Sequence, residues 1–84
     1  MYDYIAIPRK DGTIVNYHFA FTEFSKSASI IVPDVVIIRV YKFHDHRYDL
    51  KCFFYEKKYI YYQESIRSKK ELHNVVQKLL KENL

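Results

Sequence analysis

Two hydrophobic periods follow one another along this 84-residue chain. Between Thr13 and Phe21 the period is two. Val15, Tyr17, Phe19 and Phe21 face one way, Asn16, His18, Ala20 and Thr22 the other, the mark of a half-buried strand. Near the C-terminus the period becomes helical, with Leu72, Val75, Val76, Leu79 and Leu80 recurring at i, i+3, i+4, i+7 and i+8. Ser68-Lys69-Lys70-Glu71 fits a capping box just ahead of that stripe. Ser68 can accept from the Glu71 N–H, and the Glu71 carboxylate can reach back.

The remaining apolar runs also read as strands. Tyr2 to Ile7 is short and stops at Pro8, and Arg9-Lys10-Asp11-Gly12 supplies hairpin-turn chemistry. Ser25-Lys26-Ser27-Ala28-Ser29 is expected to be a polar, flexible connection, and Ile30-Ile31-Val32 a short strand ending at Pro33-Asp34. Val35 to Phe43 is a long β-branched run whose aliphatic side is Val36, Ile38 and Val40. Tyr48 to Glu56, a turn around Lys57-Lys58, and Tyr59 to Gln63 complete a last hairpin.

The expected fold is α+β: an antiparallel sheet of about five strands with one C-terminal amphipathic helix packed on one face. Residues 1–84 form one small domain, strands spanning 2–63 and the helix 69–82. A lone helix leaves the other sheet face free for a partner or a second copy.

Which side chains reach that free face depends on register. A three-residue loop at Asp45-His46-Arg47 puts His44 opposite Tyr48. Val36, Ile38 and Val40 then join Leu50, Cys52 and Phe54 on one face, and Arg39, Tyr41, Lys51, Phe53 and Tyr55 gather on the other. A one-residue slip would set Lys42 opposite Asp49 and turn Lys51 into the core. The first register is preferred because it separates aliphatics from charges. Phe54 and Tyr61 are expected to pack, while Phe53 and Tyr55 are candidates for recognition.

Composition adds bounds. Hydrophobic residues make up 49% and Gly and Pro are scarce, so the chain is expected to fold rather than stay disordered. Cys52 is the only cysteine, which excludes an internal disulfide. With no basic n-region leading into an apolar h-region, and no apolar run beyond Val35-Val36-Ile37-Ile38, the expected location is cytoplasmic, with no membrane partner. The formal net charge of +4 allows anionic partners and excludes an acidic mimic of DNA.

Catalytic and metal chemistry are thinly represented. His44-Asp45-His46 with Asp49 is the one cluster with a metal-like pattern, but no recognisable spacing completes a four-ligand set, and a polar hairpin turn explains the same residues. His46, Arg47, Tyr48 and Lys51 could be arranged as a ribonuclease site, an alternative that only geometry can judge. His18 and His73 read as surface residues. The helix lysines Lys69, Lys70, Lys78 and Lys81, with Arg67, are interrupted by Glu71 and Glu82, as on a solvated face. No enzyme activity, metal or cofactor is expected.

Lys57-Lys58-Tyr59-Ile60-Tyr61-Tyr62 followed by Ser68-Lys69-Lys70-Glu71-Leu72 is similar to the arm-type DNA-binding domains of some tyrosine integrases, where a small basic-aromatic sheet precedes a capped C-terminal helix. Those domains have three strands, and residues 1 to 34 have no counterpart in them. Such a likeness carries no function by itself. The functional expectation is a small basic, non-enzymatic binding module contacting nucleic acid or a nucleoprotein complex. Arg39, Lys51, Lys57 and Lys58 would meet phosphates, and Tyr41, Phe53 and Tyr55 would stack on bases. The alternative is a phage- or mobile-element-type inhibitor or adaptor that blocks a host nuclease or defence complex. Homodimerisation through the uncovered face is a further possibility.

Overall fold

A computed structural model of the chain describes residues 4–19, 21 and 26–84. Strands β1 (Tyr4–Pro8) and β2 (Ile14–His18) form a hairpin of their own. Strands β3 (Ser27–Val32), β4 (Val36–Lys42), β5 (Tyr48–Phe54) and β6 (Tyr59–Ile66) form an antiparallel meander in sequence order. One helix, α1 (Lys69–Asn83), follows and contacts β1 and β5. The α+β class with a C-terminal helix is as the sequence predicts. The described strands number six rather than five, and they divide between two sheets.

The extra length in β3 corrects an expectation. Ser27, Ala28 and Ser29, expected in a flexible connection, pair with Tyr41, Val40 and Arg39 of β4. Both serines are exposed, so their polarity is no obstacle to a strand with one solvated face. Conversely β2 ends at His18. Phe19 and Phe21 lie beyond it yet still pack against the core. Tyr2, Asp3, Ala20, Thr22 and Ser25 lie outside the described residues.

One face of the four-stranded sheet holds the core. Ile30, Val32, Val36, Ile38, Val40, Tyr48, Leu50, Cys52 and Phe54 are buried there. Ile5 and Ile7 of β1 and Leu72, Val76, Leu79 and Leu80 of α1 belong to the same cluster. The β1–β2 hairpin and the helix therefore share the task of covering the sheet. The helix is set by its cap: Ser68 Oγ accepts from the Glu71 N–H at 3.1 Å, and Glu71 Oε2 accepts from the Arg67 N–H at 3.1 Å.

The hairpins fix the register. Arg9–Thr13 closes around Gly12, whose φ of 89° is the left-handed position that a three-residue loop needs. The β4–β5 loop is built alike, but on His44-Asp45-His46. Phe43 N–H donates to Arg47 C=O at 2.9 Å, and His46 takes φ 61°. Lys42 therefore lies opposite Tyr48, where the sequence reading placed His44. The pairing moves by two residues, so every side chain stays on its expected face.

Asp49 is the buried charged residue of the sheet, and it anchors an irregularity. Between the pairs Leu50–Gln63 and Tyr48–Ile66, β6 carries an extra residue, and Ser65 takes φ 59°. Asp49 accepts from the Ser65 N–H at 3.2 Å and from the Tyr62 hydroxyl at 3.3 Å. Replacing Asp49 by Ala is expected to cost about 1–3 kcal/mol in urea unfolding, with Asp49→Asn recovering part of it through its remaining acceptor oxygen.

Cys52 lies in the middle of the core face, 1% exposed, and burial pushes its thiol from 9.0 up to about 12. An unfolded chain would ionise this thiol near its ordinary value, so its contribution to stability is lost as pH rises from that value towards 12. The native protein is expected to resist alkylation by iodoacetamide at neutral pH and to label only through global unfolding, at a rate set by the unfolded fraction, which mass spectrometry reads directly.

Candidate functional site

The second face of the four-stranded sheet, here the open face, carries no covering element among the described residues. Its side chains come from the positions that alternate with the core. Because the three ladders share one register, they line up in rows across the sheet. Ile31, Ile37, Phe53 and Ile60 form one row, one residue from each strand. Ser29, Arg39, Lys51 and Tyr62 form the next. Ser27, Tyr41 and Asp49 form the third.

The apolar row is exposed at both ends. Ile31 is 57% and Ile60 56% accessible, while Ile37 and Phe53 between them are half-buried. Ile37, Phe53 and Ile60, with Arg39 and Lys51 of the next row, line a shallow hollow of about 310 Å³. Four large apolar side chains in register on a solvent-facing sheet are more than scattered surface hydrophobicity.

Arg39 and Lys51 stand directly opposite each other in the ladder, an arrangement that costs stability. Among the described residues neither is paired with a carboxylate. Arg39 Nε instead donates to Ser29 Oγ at 3.3 Å, which tilts the guanidinium towards β3. On the other side of Lys51, Tyr62 is held by Asp49, and its hydroxyl titrates above the ordinary tyrosine value through desolvation and then the neighbouring Asp49 charge.

The expected site residues do not all meet. Arg39, Lys51 and Phe53 come together around the hollow. Tyr41 shares the face but sits two rows from Phe53, beside Asp49. Tyr55 is half-buried just past β5 and packs edge-on against Phe53, ring centroids 5.0 Å apart. Lys57 and Lys58 are exposed at the β5–β6 tip, where Lys58 takes φ 50°. Phe54 and Tyr61 pack on the core side, as expected. Ile31, Ile37, Ile60 and Tyr62 are not among the contact residues expected from the sequence. Their signal was a large apolar or aromatic residue at the polar phase of each strand.

The residues considered for ribonuclease chemistry point apart. Tyr48 is buried on the core face and Lys51 is on the open one. Arg47 stacks over Phe43 at 4.4 Å and lies 3.9 Å from Asp45. Among the described residues no group of three or more His, Cys, Asp or Glu side chains could hold a metal ion, and no helix is long and apolar enough to cross a membrane. Compared with known proteins, the chain matches no family model, no curated protein and no solved structure.

Proposed function

We propose that this protein is a non-enzymatic binding module that docks another protein on its open sheet face, as an adaptor or inhibitor does. The observation that carries the reading is the row Ile31–Ile37–Phe53–Ile60 with Arg39 and Lys51 beside it, two cations that pair with no carboxylate among the described residues. Three of the four apolar residues are aliphatic. They suit the side chains of a protein better than the flat faces of bases, which stack on aromatic rings. The partner surface that complements this row presents apolar residues flanked by carboxylates, which would supply Arg39 and Lys51 with counter-charge.

A nucleic-acid reading has one specific observation in its favour. Arg39, Lys51 and Phe53 line the same hollow, as a phosphate and a base would require. It is the lesser reading because Phe53 and Tyr55 pack against each other and Tyr41 is displaced from both.

The test compares the wild-type protein with the double variant Arg39→Glu/Lys51→Glu, both immobilised in nuclease-treated extract of the source cells at near-physiological salt. A partner held at fixed stoichiometry by the wild type and lost by the variant is the expected result. In parallel, fluorescence anisotropy with short single-stranded DNA, duplex DNA and RNA is expected to show no sub-micromolar binding at that salt. Sub-micromolar affinity that falls steeply with salt would replace the protein reading by the nucleic-acid one.

A further inference from the structure

The open face ends at two strand edges, and they differ. On β6 the edge is broken by the bulge at Ser65 and carries Glu64. Bulges and charges are the devices by which folded proteins keep edges from pairing with other chains. On β3, Ser27–Val32, there is no proline, no charged residue and no bulge, and the ladder to β4 is regular throughout.

The direction of the backbone groups in β3 follows from its hydrogen bonds. Lys42 N–H donates to Lys26 C=O at 2.9 Å, and the pairing then runs in steps of two along the ladder. Residues 28, 30 and 32 therefore turn their N–H and C=O groups towards β4. Ser27, Ser29 and Ile31 turn theirs outward, and among the described residues no strand pairs with them. These three residues also place their side chains on the open face, with Ser29 and Ile31 heading the cationic and apolar rows.

We infer that β3 receives an extended segment of the partner protein as a fifth strand of the meander. This deepens the docking function proposed above and rests on it. The added strand continues both rows. A side chain next to Ile31 must be apolar to extend the row Ile31–Ile37–Phe53–Ile60. A side chain two residues away lies next to Ser29, where Arg39 leans towards the edge, and there a carboxylate completes the charge. The recognised segment is thus an extended stretch with an apolar and an acidic residue two positions apart. Main-chain bonds to Ser27, Ser29 and Ile31 supply affinity, and the two side chains supply selection.

The experiment selects seven-residue peptides from a displayed random library on the immobilised wild-type protein and measures the enriched peptides, synthesised, against variants. Ser29→Pro is the decisive variant. The Ser29 N–H points away from β4, so proline removes an outward donor without removing a ladder bond; Ser29→Ala, which like proline deletes the Oγ acceptor of Arg39 but keeps the N–H, is the control and is expected to bind more tightly than Ser29→Pro. The expected result is an enriched apolar-x-acidic pattern, slowed amide exchange at Ser27, Ser29 and Ile31 on binding, and at least tenfold weaker binding by Ser29→Pro and by Arg39→Glu. Peptides that lose affinity with Arg39→Glu and Phe53→Ala but bind Ser29→Pro unchanged, with no slowing at those amides, would overturn strand addition and leave the open-face reading standing. Enriched peptides indifferent to all three substitutions, or no enrichment, would overturn strand addition too. The extract comparison then decides the docking function separately. Should Ser29→Pro lose its native circular dichroism, the amide-exchange pattern of the wild type alone decides.

Discussion

Replacing Phe54 by alanine is expected to destabilise the protein by about 3–5 kcal/mol, whereas the same change at the adjacent Phe53 costs on the order of 1 kcal/mol. The two rings are neighbours in sequence and belong to opposite faces of β5. Phe54 is 1% exposed, lies opposite Val36 and Tyr59 in the two ladders, and stacks on Tyr59 with ring centroids 6.2 Å apart. Removing it leaves a cavity in the shared core cluster. Phe53 is half-buried at the hollow of the open face, so truncation there exposes existing surface more than it hollows the core. For a domain whose whole stability is about 5–15 kcal/mol, the Phe54 change lowers Tm by roughly 15 °C or more. Urea and thermal unfolding of the two variants measure the difference. Equal losses would mean that the open face is covered in the native protein.

The second large effect is expected at Ile7. Alanine there should cost about 2–5 kcal/mol, although Ile7 belongs to the small two-stranded sheet and not to the meander. Ile5 and Ile7 are 1% and 0% exposed and lie in one cluster with Leu72, Val76, Leu79 and Leu80. An isolated two-stranded hairpin is at best marginally stable. The β1–β2 hairpin therefore holds its shape by docking, and the core needs it in return, since α1 alone does not cover the sheet. The Ile7→Ala variant should still unfold in a single transition, with circular dichroism and tyrosine fluorescence coinciding. A loss below about 1 kcal/mol, or two separated transitions, would show that the hairpin folds apart from the rest.

These elements differ in how far the sequence discloses them. The helix was legible in full, because its stripe, its Ser68 cap and Glu71 are all local signals. The division of β4 and β5 into a core side and an open side was legible too, because Val36, Ile38, Val40, Leu50, Cys52 and Phe54 alternate with Arg39, Tyr41 and Lys51. The pairing offset was not. The β4–β5 loop has no glycine to mark its left-handed residue, and His46 fills that position, so the loop sits one residue earlier than expected. The bulge at Ser65 is invisible for the same reason, and its acceptor, Asp49, is sixteen residues distant in the chain. Ser27 to Ser29 read as a connection because polarity there reflects an exposed face and not a missing partner. The apolar row is not legible in the sequence, because Ile31, Ile37 and Ile60 acquire meaning only when three ladders bring them abreast of Phe53. Of the expected contact residues, Arg39, Lys51 and Phe53 converge, because one register places all three on adjoining rows.

The separation of the two sheet faces has a consequence for how such a protein can change. On β4 and β5 the buried set is Val36, Ile38, Val40, Tyr48, Leu50, Cys52 and Phe54, while Ile37, Arg39, Lys51 and Phe53 lie on the open face. The two sets are interleaved in sequence but point their side chains to opposite faces of the sheet. A lineage can therefore rewrite what the module binds, one exposed residue at a time, on an unchanged scaffold. Relatives that keep the buried set and vary the exposed one would share this architecture while answering to different partners.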